Sequence, residues 1–147
     1  MSARARPQGA FAARAAIAGL VGGIIIDLFL FGTKSAPFPG AYQFIASGLF
    51  GKAAFESRWY IAAGVALHLS ISIVAALAYA YLGRELHLLH RWLAAGTLFG
   101  VVMLIVMQTV MAFAGLSHPL SVRGLATGLI AHVVFFGWPI AYILRPE

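Results

Sequence analysis

Four long apolar runs decide what this chain can fold into. They cover residues 11–31, 60–82, 93–114 and 122–144. Each is close to the roughly 20 residues that an α-helix needs to cross about 30 Å of hydrocarbon. Backbone in lipid must satisfy its own N–H and C=O groups, so the runs are expected to be helices and not open strands. The charge content agrees: 10% of the 147 residues are charged, against roughly a quarter in a soluble domain. The sequence predicts an all-α fold, a four-helix transmembrane bundle forming a single integral membrane domain over residues 1–147.

The formal net charge of +6 would suggest nucleic acid in a soluble protein. Here the basic residues flank apolar runs, where they meet lipid phosphates, so lipid and not nucleic acid is the expected partner. The absence of cysteine excludes disulfides, thiolate zinc sites and iron–sulfur clusters. Arg4, Arg6, Arg14, Arg84, Arg91 and Arg145 fall on one side of the four spans, and Lys34, Lys52, Arg58 and Arg123 on the other. By the positive-inside rule this predicts a multi-pass protein of the bacterial inner (cytoplasmic) membrane with both termini cytoplasmic. Trp59, Tyr60, Trp92 and Trp138 read as interfacial anchors. The basic, then apolar N-terminus has the outline of a signal peptide. Asp27 interrupts its apolar stretch, however, and Ala36 lies between Lys34 and Pro37, a poor cleavage site, so the first helix is expected to be retained. Gly83 reads as closing the second run, Ser121 as capping the fourth, and Pro146 follows its end.

The longest connection contains a shorter amphipathic segment over residues 41–55, entered through Pro37-Phe38-Pro39-Gly40. A helix there places Tyr42, Ile45, Ala46, Leu49 and Ala53 on one face and Gln43, Ser47 and Gly51 on another. It is too short to span and is expected to lie in the outer interface or to dip partly inward, either as a lid over the bundle or as filler.

Polar and ionisable side chains inside a membrane are costly, which makes each a candidate functional residue. There are four: Asp27, His68, Gln108 and His132. At about 1.5 Å per residue they fall between about 7 and 16 Å below the outer boundary, one on each helix. Glycines at intervals of four share their faces: Gly19 and Gly23 with Asp27, Gly64 with His68 and Ser72, and Gly124 and Gly128 with His132. Such stripes let helices approach closely and should turn the polar groups into the bundle. The third helix adds Gly96 and Gly100, with Met103, Met107 and Met111 as adaptable filler. Ala18-Gly19 with Gly23 parallels Ala95-Gly96 with Gly100, and Gly64-x-x-x-His68 parallels Gly128-x-x-x-His132, an outline of two repeated hairpins.

Several chemistries fit this cluster. Polar glue would fix helix register through hydrogen bonds among Asp27, His68, Gln108, His132, Ser70 and Ser72. A proton or cation relay would exploit histidine titration beside a carboxylate, although the cytoplasmic half of the helices offers no ionisable partner. A b-type haem could be ligated by His68 and His132, with Lys34, Lys52 or Arg58 for its propionates. A His-His-Asp metal site is a further arrangement of the same residues, but no metal ligand set is assigned. Elsewhere, residues 46–53 read A-S-G-L-F-G-K-A, a phosphate-binding loop without its final hydroxyl or a preceding strand. His87 and His90, and separately His118, read as solvated turn residues. With no zinc-protease helix, serine elbow or paired carboxylates, no catalytic residue is assigned and no enzymatic activity is expected.

Gly23 with Asp27, the stretch Gln43-Phe44-Ile45-Ala46-Ser47, the segment Leu67-His68-x-Ser70-Ile71-Ser72 and the closing run from His132 to Ile140 resemble small bacterial inner-membrane proteins of the YagU-like kind. The resemblance covers most of the chain. It implies a four-helix inner-membrane protein loosely linked to acid tolerance, and it supplies no ligand or catalytic residues. The expected function is a non-enzymatic scaffold or accessory component, proton-sensitive through its buried cluster, in a homo-oligomer or larger membrane complex. An electron carrier with haem is the alternative.

Overall fold

The first apolar run forms α1 (Gln8–Gly32) and ends by turning its last carbonyls inward. The amide of Ser35 bonds Leu30 O at 2.9 Å and that of Lys34 bonds Phe31 O at 3.0 Å. This closure needs a left-handed residue, and Lys34 takes it with φ of 55° where glycine is usual. The computed structural model describes residues 8–36, 38–113, 115 and 121–146; Arg4, Arg6, Pro37, Ala114 and His118 lie outside them.

Next come α2 (Gly40–Phe50) with a 3₁₀ turn (Gly51–Phe55), and α3 (Trp59–Glu85). α3 ends in the same closure as α1, with Leu88 N bonding Gly83 O at 2.8 Å and His87 left-handed at φ 57°. Gly83 therefore does not close the second run; it lies within the helix, where a Cβ would come 2.7 Å from Leu89 Cδ2. Its role is to admit Leu89, which is buried at the turn. After a 3₁₀ turn (Leu89–Arg91), α4 (Trp92–Phe113) forms the third span.

The fourth span is not the single α-helix expected. It comprises α5 (Val122–Ile130), a π-helical segment (Ala131–Gly137) and α6 (Trp138–Leu144). Ser121 caps its start, accepting Gly124 N–H at 3.0 Å. Pro139 explains the widened segment: proline has no N–H to donate, and in α-register its ring would collide with the carbonyl four residues back. The preceding Trp138 N–H instead reaches Val133 O, five residues back.

All four spans are long and apolar enough to cross a membrane. Among the described residues there is no strand, so the fold is an all-α bundle, and the chain is a membrane protein by length and composition of its helices. α1 packs on α3 and on the fourth span, α4 packs on the fourth span, and α3 and α4 scarcely meet. Small residues make the centre: Ala15, Ala18, Ala76, Ala80, Ala131 and Ala141 are buried, whereas Leu28, Val74, Leu82 and Phe113 face outward. Such an outside suits acyl chains. Arg14 Nη2 donates to Arg145 O at 3.1 Å, and the Arg84 guanidinium lies 5.2 Å from the Phe11 ring centre. These contacts place the start of α1, the α3–α4 turn and the end of α6 at one end of the bundle, opposite α2.

The two hairpins repeat one register. A Cβ on Gly19 would come 2.7 Å from Ile73 Cα, and one on Gly23 would come 3.4 Å from Leu69 Cδ2. In the second hairpin a Cβ on Gly96 would come 3.0 Å from Gly137 O, and one on Gly100 would come 2.6 Å from Val133 Cα. The same shift along each helix carries His68 onto His132 and Asp27 onto Leu104. The second hairpin thus has the imidazole without the carboxylate. Gly124 departs from the expected stripe, since among the described residues it is the capping Ser121 Oγ of its own helix start, at 3.1 Å, that lies near its Cβ position.

α2 packs on α3 through a face that only partly follows its apolar pattern, keeping Tyr42 and Ala46 but admitting Ser47 in place of Leu49. Tyr42, Ala46 and Ser47 are buried while Leu49 is exposed. Ser47 is tolerated inside because its hydroxyl donates to Phe44 O at 2.7 Å, within its own helix. Leu49 loses nothing by facing out if its surroundings are lipid.

Candidate buried polar site

Two glycines bring the polar residues together. Gly23 lets α3 approach α1, because a Cβ there would meet Ser72 Oγ at 2.8 Å. His68 consequently reaches across, its Nε2 3.2 Å from Asp27 Oδ1 and 3.4 Å from Gly23 O. Gly64 does the same for α2: a Cβ there would overlap the Tyr42 carbonyl. With α2 seated so closely, the Tyr42 hydroxyl donates to Asp27 Oδ2 at 2.6 Å. Edge-on contacts with Phe31 and Phe38 hold the Tyr42 ring, at 5.5 and 6.0 Å between centres.

The partners settle where the protons sit. A backbone carbonyl only accepts, so the His68 Nε2 facing Gly23 O and the carboxylate carries hydrogen, and a neutral His68 keeps its lone pair on Nδ1. His132 has the opposite arrangement: its Nδ1 donates to Gly128 O at 2.8 Å, which leaves the lone pair on Nε2. Asp27 accepts from both Tyr42 and His68, the pattern of an ionised carboxylate. The imidazole of His68 and the carboxylate of Asp27 are 12% and 13% exposed. Burial first, then the hydrogen bond to Asp27 and its charge, hold the Tyr42 phenol well above its ordinary pKa, so Tyr42 stays a donor.

Asp27, Tyr42, His68 and His132 line one cavity of about 500 Å³ beneath α2, walled by Phe31, Phe44, Phe55 and Met107 among others. A second space of about 100 Å³ shares His68, His132 and Met107 and runs on between α3 and α4, past Ser72, Met103 and Val106.

Of the four residues singled out from the sequence, the structure brings Asp27 and His68 into contact and sets His132 on the same cavity. Gln108 lines neither space. It is half-buried on α4, on the helix that approaches the fourth span more than it approaches α1 or α3. Ser72 is buried, but its hydroxyl donates to His68 O at 2.9 Å within α3 and not to an imidazole. Ser70 is exposed. The member that sequence reasoning missed is Tyr42, read only as an apolar face residue. The available signal was a phenol on the inward face of a helix too short to span.

The haem and metal readings are not favoured. His68 Nε2 is already taken by Asp27 and Gly23 O, and Lys52 and Arg58 are exposed at the turn beyond α2. Among the described residues no group of three or more histidine, cysteine, aspartate or glutamate side chains converges so as to hold a metal ion. Trp138 does more than mark an interface, since its Nε1 donates to Thr97 Oγ1 at 2.9 Å and ties α6 to α4. No protein-family model matches the chain. Comparison with curated proteins and with solved structures likewise gives no match.

Proposed function

We propose that this chain is a non-enzymatic accessory protein of the bacterial inner membrane, in which the Tyr42–Asp27–His68 chain of hydrogen bonds is a proton-responsive latch holding α2 on the bundle. The observation that carries the reading is the single carboxylate accepting from a phenol on α2 and an imidazole on α3, at 2.6 and 3.2 Å. A carboxylate accepts both with its charge; protonation removes that charge and turns an acceptor into an O–H donor, so both bonds lose their charge-assisted strength. The groups facing Asp27 are Tyr42 from α2 and His68 from α3, with His132 of the fourth span on the same cavity; α4 contributes the uncharged Met107. The resemblance to YagU-like proteins, with their link to acid tolerance, points the same way. The arginine bias supports cytoplasmic termini. The glycine faces that suggest oligomerisation are taken up within the chain at Gly19, Gly23, Gly64, Gly96, Gly100 and Gly137. A homo-oligomer or larger complex would therefore form through exposed apolar residues such as Leu28 and Val74.

Hydrogen exchange of the α2 amides in lipid nanodiscs, corrected for intrinsic rate, tests the latch. The expectation is faster exchange in acid than at neutral pH, with the difference lost in Asp27→Asn. Exchange that ignores pH, or a difference that survives Asp27→Asn, would contradict it.

A further inference from the structure

The cavity beneath α2 is asymmetric in its chemistry: its side chains accept hydrogen bonds and have none left to give. The Tyr42 hydroxyl is spent on Asp27, and His68 Nε2–H on Asp27 and Gly23 O. His132 Nδ1–H goes to Gly128 O. Ser35, also on the wall, lies 2.8 Å from Thr33 Oγ1. Thr33 donates its own proton to Phe29 O at 2.8 Å, so Ser35 is the donor in that pair. What remains is the outer lone pairs of the Asp27 carboxylate, Nδ1 of a neutral His68 and Nε2 of His132. Among the described residues no lysine or arginine lines the cavity; Lys34 and Arg123 line a separate polar groove next to it. The rest of the wall is apolar and aromatic, and about 500 Å³ is the size of a small-molecule site.

We infer that this cavity binds an apolar molecule bearing a protonated amine, with the ammonium against Asp27 and His132 and the hydrocarbon body among Phe31, Phe44 and Phe55. An ammonium is donor-only and positive, which complements a carboxylate and imidazole lone pairs. Aromatic faces nearby favour a cation further. The inference rests on reading the Asp27 cluster as a site, and it adds the class of ligand. A carboxylate or phosphate would meet Asp27 with like charge. Its only donors would be the backbone amides at the start of α2, where Gly40 and Ala41 border the cavity.

Three probes with one body and different heads decide the matter: 4-phenylbutylamine, 4-phenylbutanol and 4-phenylbutyrate, titrated by ligand-detected NMR against the full chain in nanodiscs. The amine is expected to bind at least about tenfold more tightly than the acid, since a charge-assisted hydrogen bond is at stake. Asp27→Asn should remove that advantage, and His132→Phe should weaken the amine several-fold while leaving the alcohol nearly unchanged. If the acid binds as well as the amine, the inference is overturned and the α2 amides are the anchor. Equal amine affinity in Asp27→Asn overturns it as well. His132→Phe keeps the question open to test should Asp27→Asn fail to fold. Failure of the latch is separable, because it appears as pH-independent exchange of α2 whatever the probes do.

Discussion

Replacing Tyr42 by phenylalanine isolates the latch from the packing that surrounds it. The ring keeps its edge contacts with Phe31 and Phe38, and only the hydroxyl that donates to Asp27 at 2.6 Å is lost. A hydrogen bond to a charged group contributes about 1.5–3 kcal/mol, and loss of one donor also leaves a buried carboxylate oxygen less well solvated. α2 is held to the bundle chiefly by α3, so the loss should appear as local opening of α2 and not as global unfolding. At about 1.4 kcal/mol per factor of ten, the opening equilibrium should rise roughly 10- to 100-fold. The chain has no cysteine, so a single Ala46→Cys, at a position with 0% exposure, reports opening through its maleimide labelling rate. A Gly48→Cys probe on the open side, where nothing lies within 4 Å of a Cβ, gives the unprotected rate. The reasoning would be refuted if Tyr42→Phe changed the Ala46→Cys rate by less than about twofold while the Gly48→Cys rate was unchanged.

Other outcomes follow from the same geometry. Gly100→Ala should destabilise the bundle by about 1–3 kcal/mol in thermal unfolding, because the new methyl meets the backbone of His132 and Val133, which cannot swing aside. Gly48→Ala, with open space at its Cβ, should be neutral or stabilising by up to about 1 kcal/mol. Lys34→Gly and His87→Gly should each stabilise by about 1 kcal/mol, since both positions hold a side chain at positive φ. In a spectroscopic titration of the five tyrosines, Tyr42→Phe should remove a phenol that ionises above the ordinary value near 10. The open form of α2 would ionise first, so alkaline pH should loosen α2 as it rises past that value, and Tyr42→Phe should abolish this loosening.

The spans were legible because hydropathy over 20 residues is a strong and additive signal, and the glycine spacing marked the faces on which helices meet. The finer geometry was not. Pro139 inside the fourth run carried a local signal for a break, but the π-helical answer depends on how α6 must continue to pack on α4 and α1. Gly83 looked like a terminator because glycine often ends helices, whereas its place within α3 is set by Leu89 folding back upon it. Gln108 shares a plausible depth with the other polar residues, yet depth does not fix which way a helix is turned. Tyr42 was overlooked for a related reason: its partner, Asp27, is brought near only when Gly64 allows α2 to settle on α3. The match of His68 with His132 was visible as a short spacing, and the contacts of Gly19, Gly23, Gly96 and Gly100 give that spacing its register.

Nitrogen-15 and carbon-13 solid-state NMR of the chain in lipid bilayers addresses the central claim most directly, by recoupling the Asp27 carboxyl carbon to the His68 ring nitrogens. The account predicts strong coupling of Asp27 Cγ to His68 Nε2, with a proton on that nitrogen, and a proton on Nδ1 of His132. Absence of the Asp27–His68 coupling, or protons on the same ring nitrogen in both histidines at neutral pH, would contradict it.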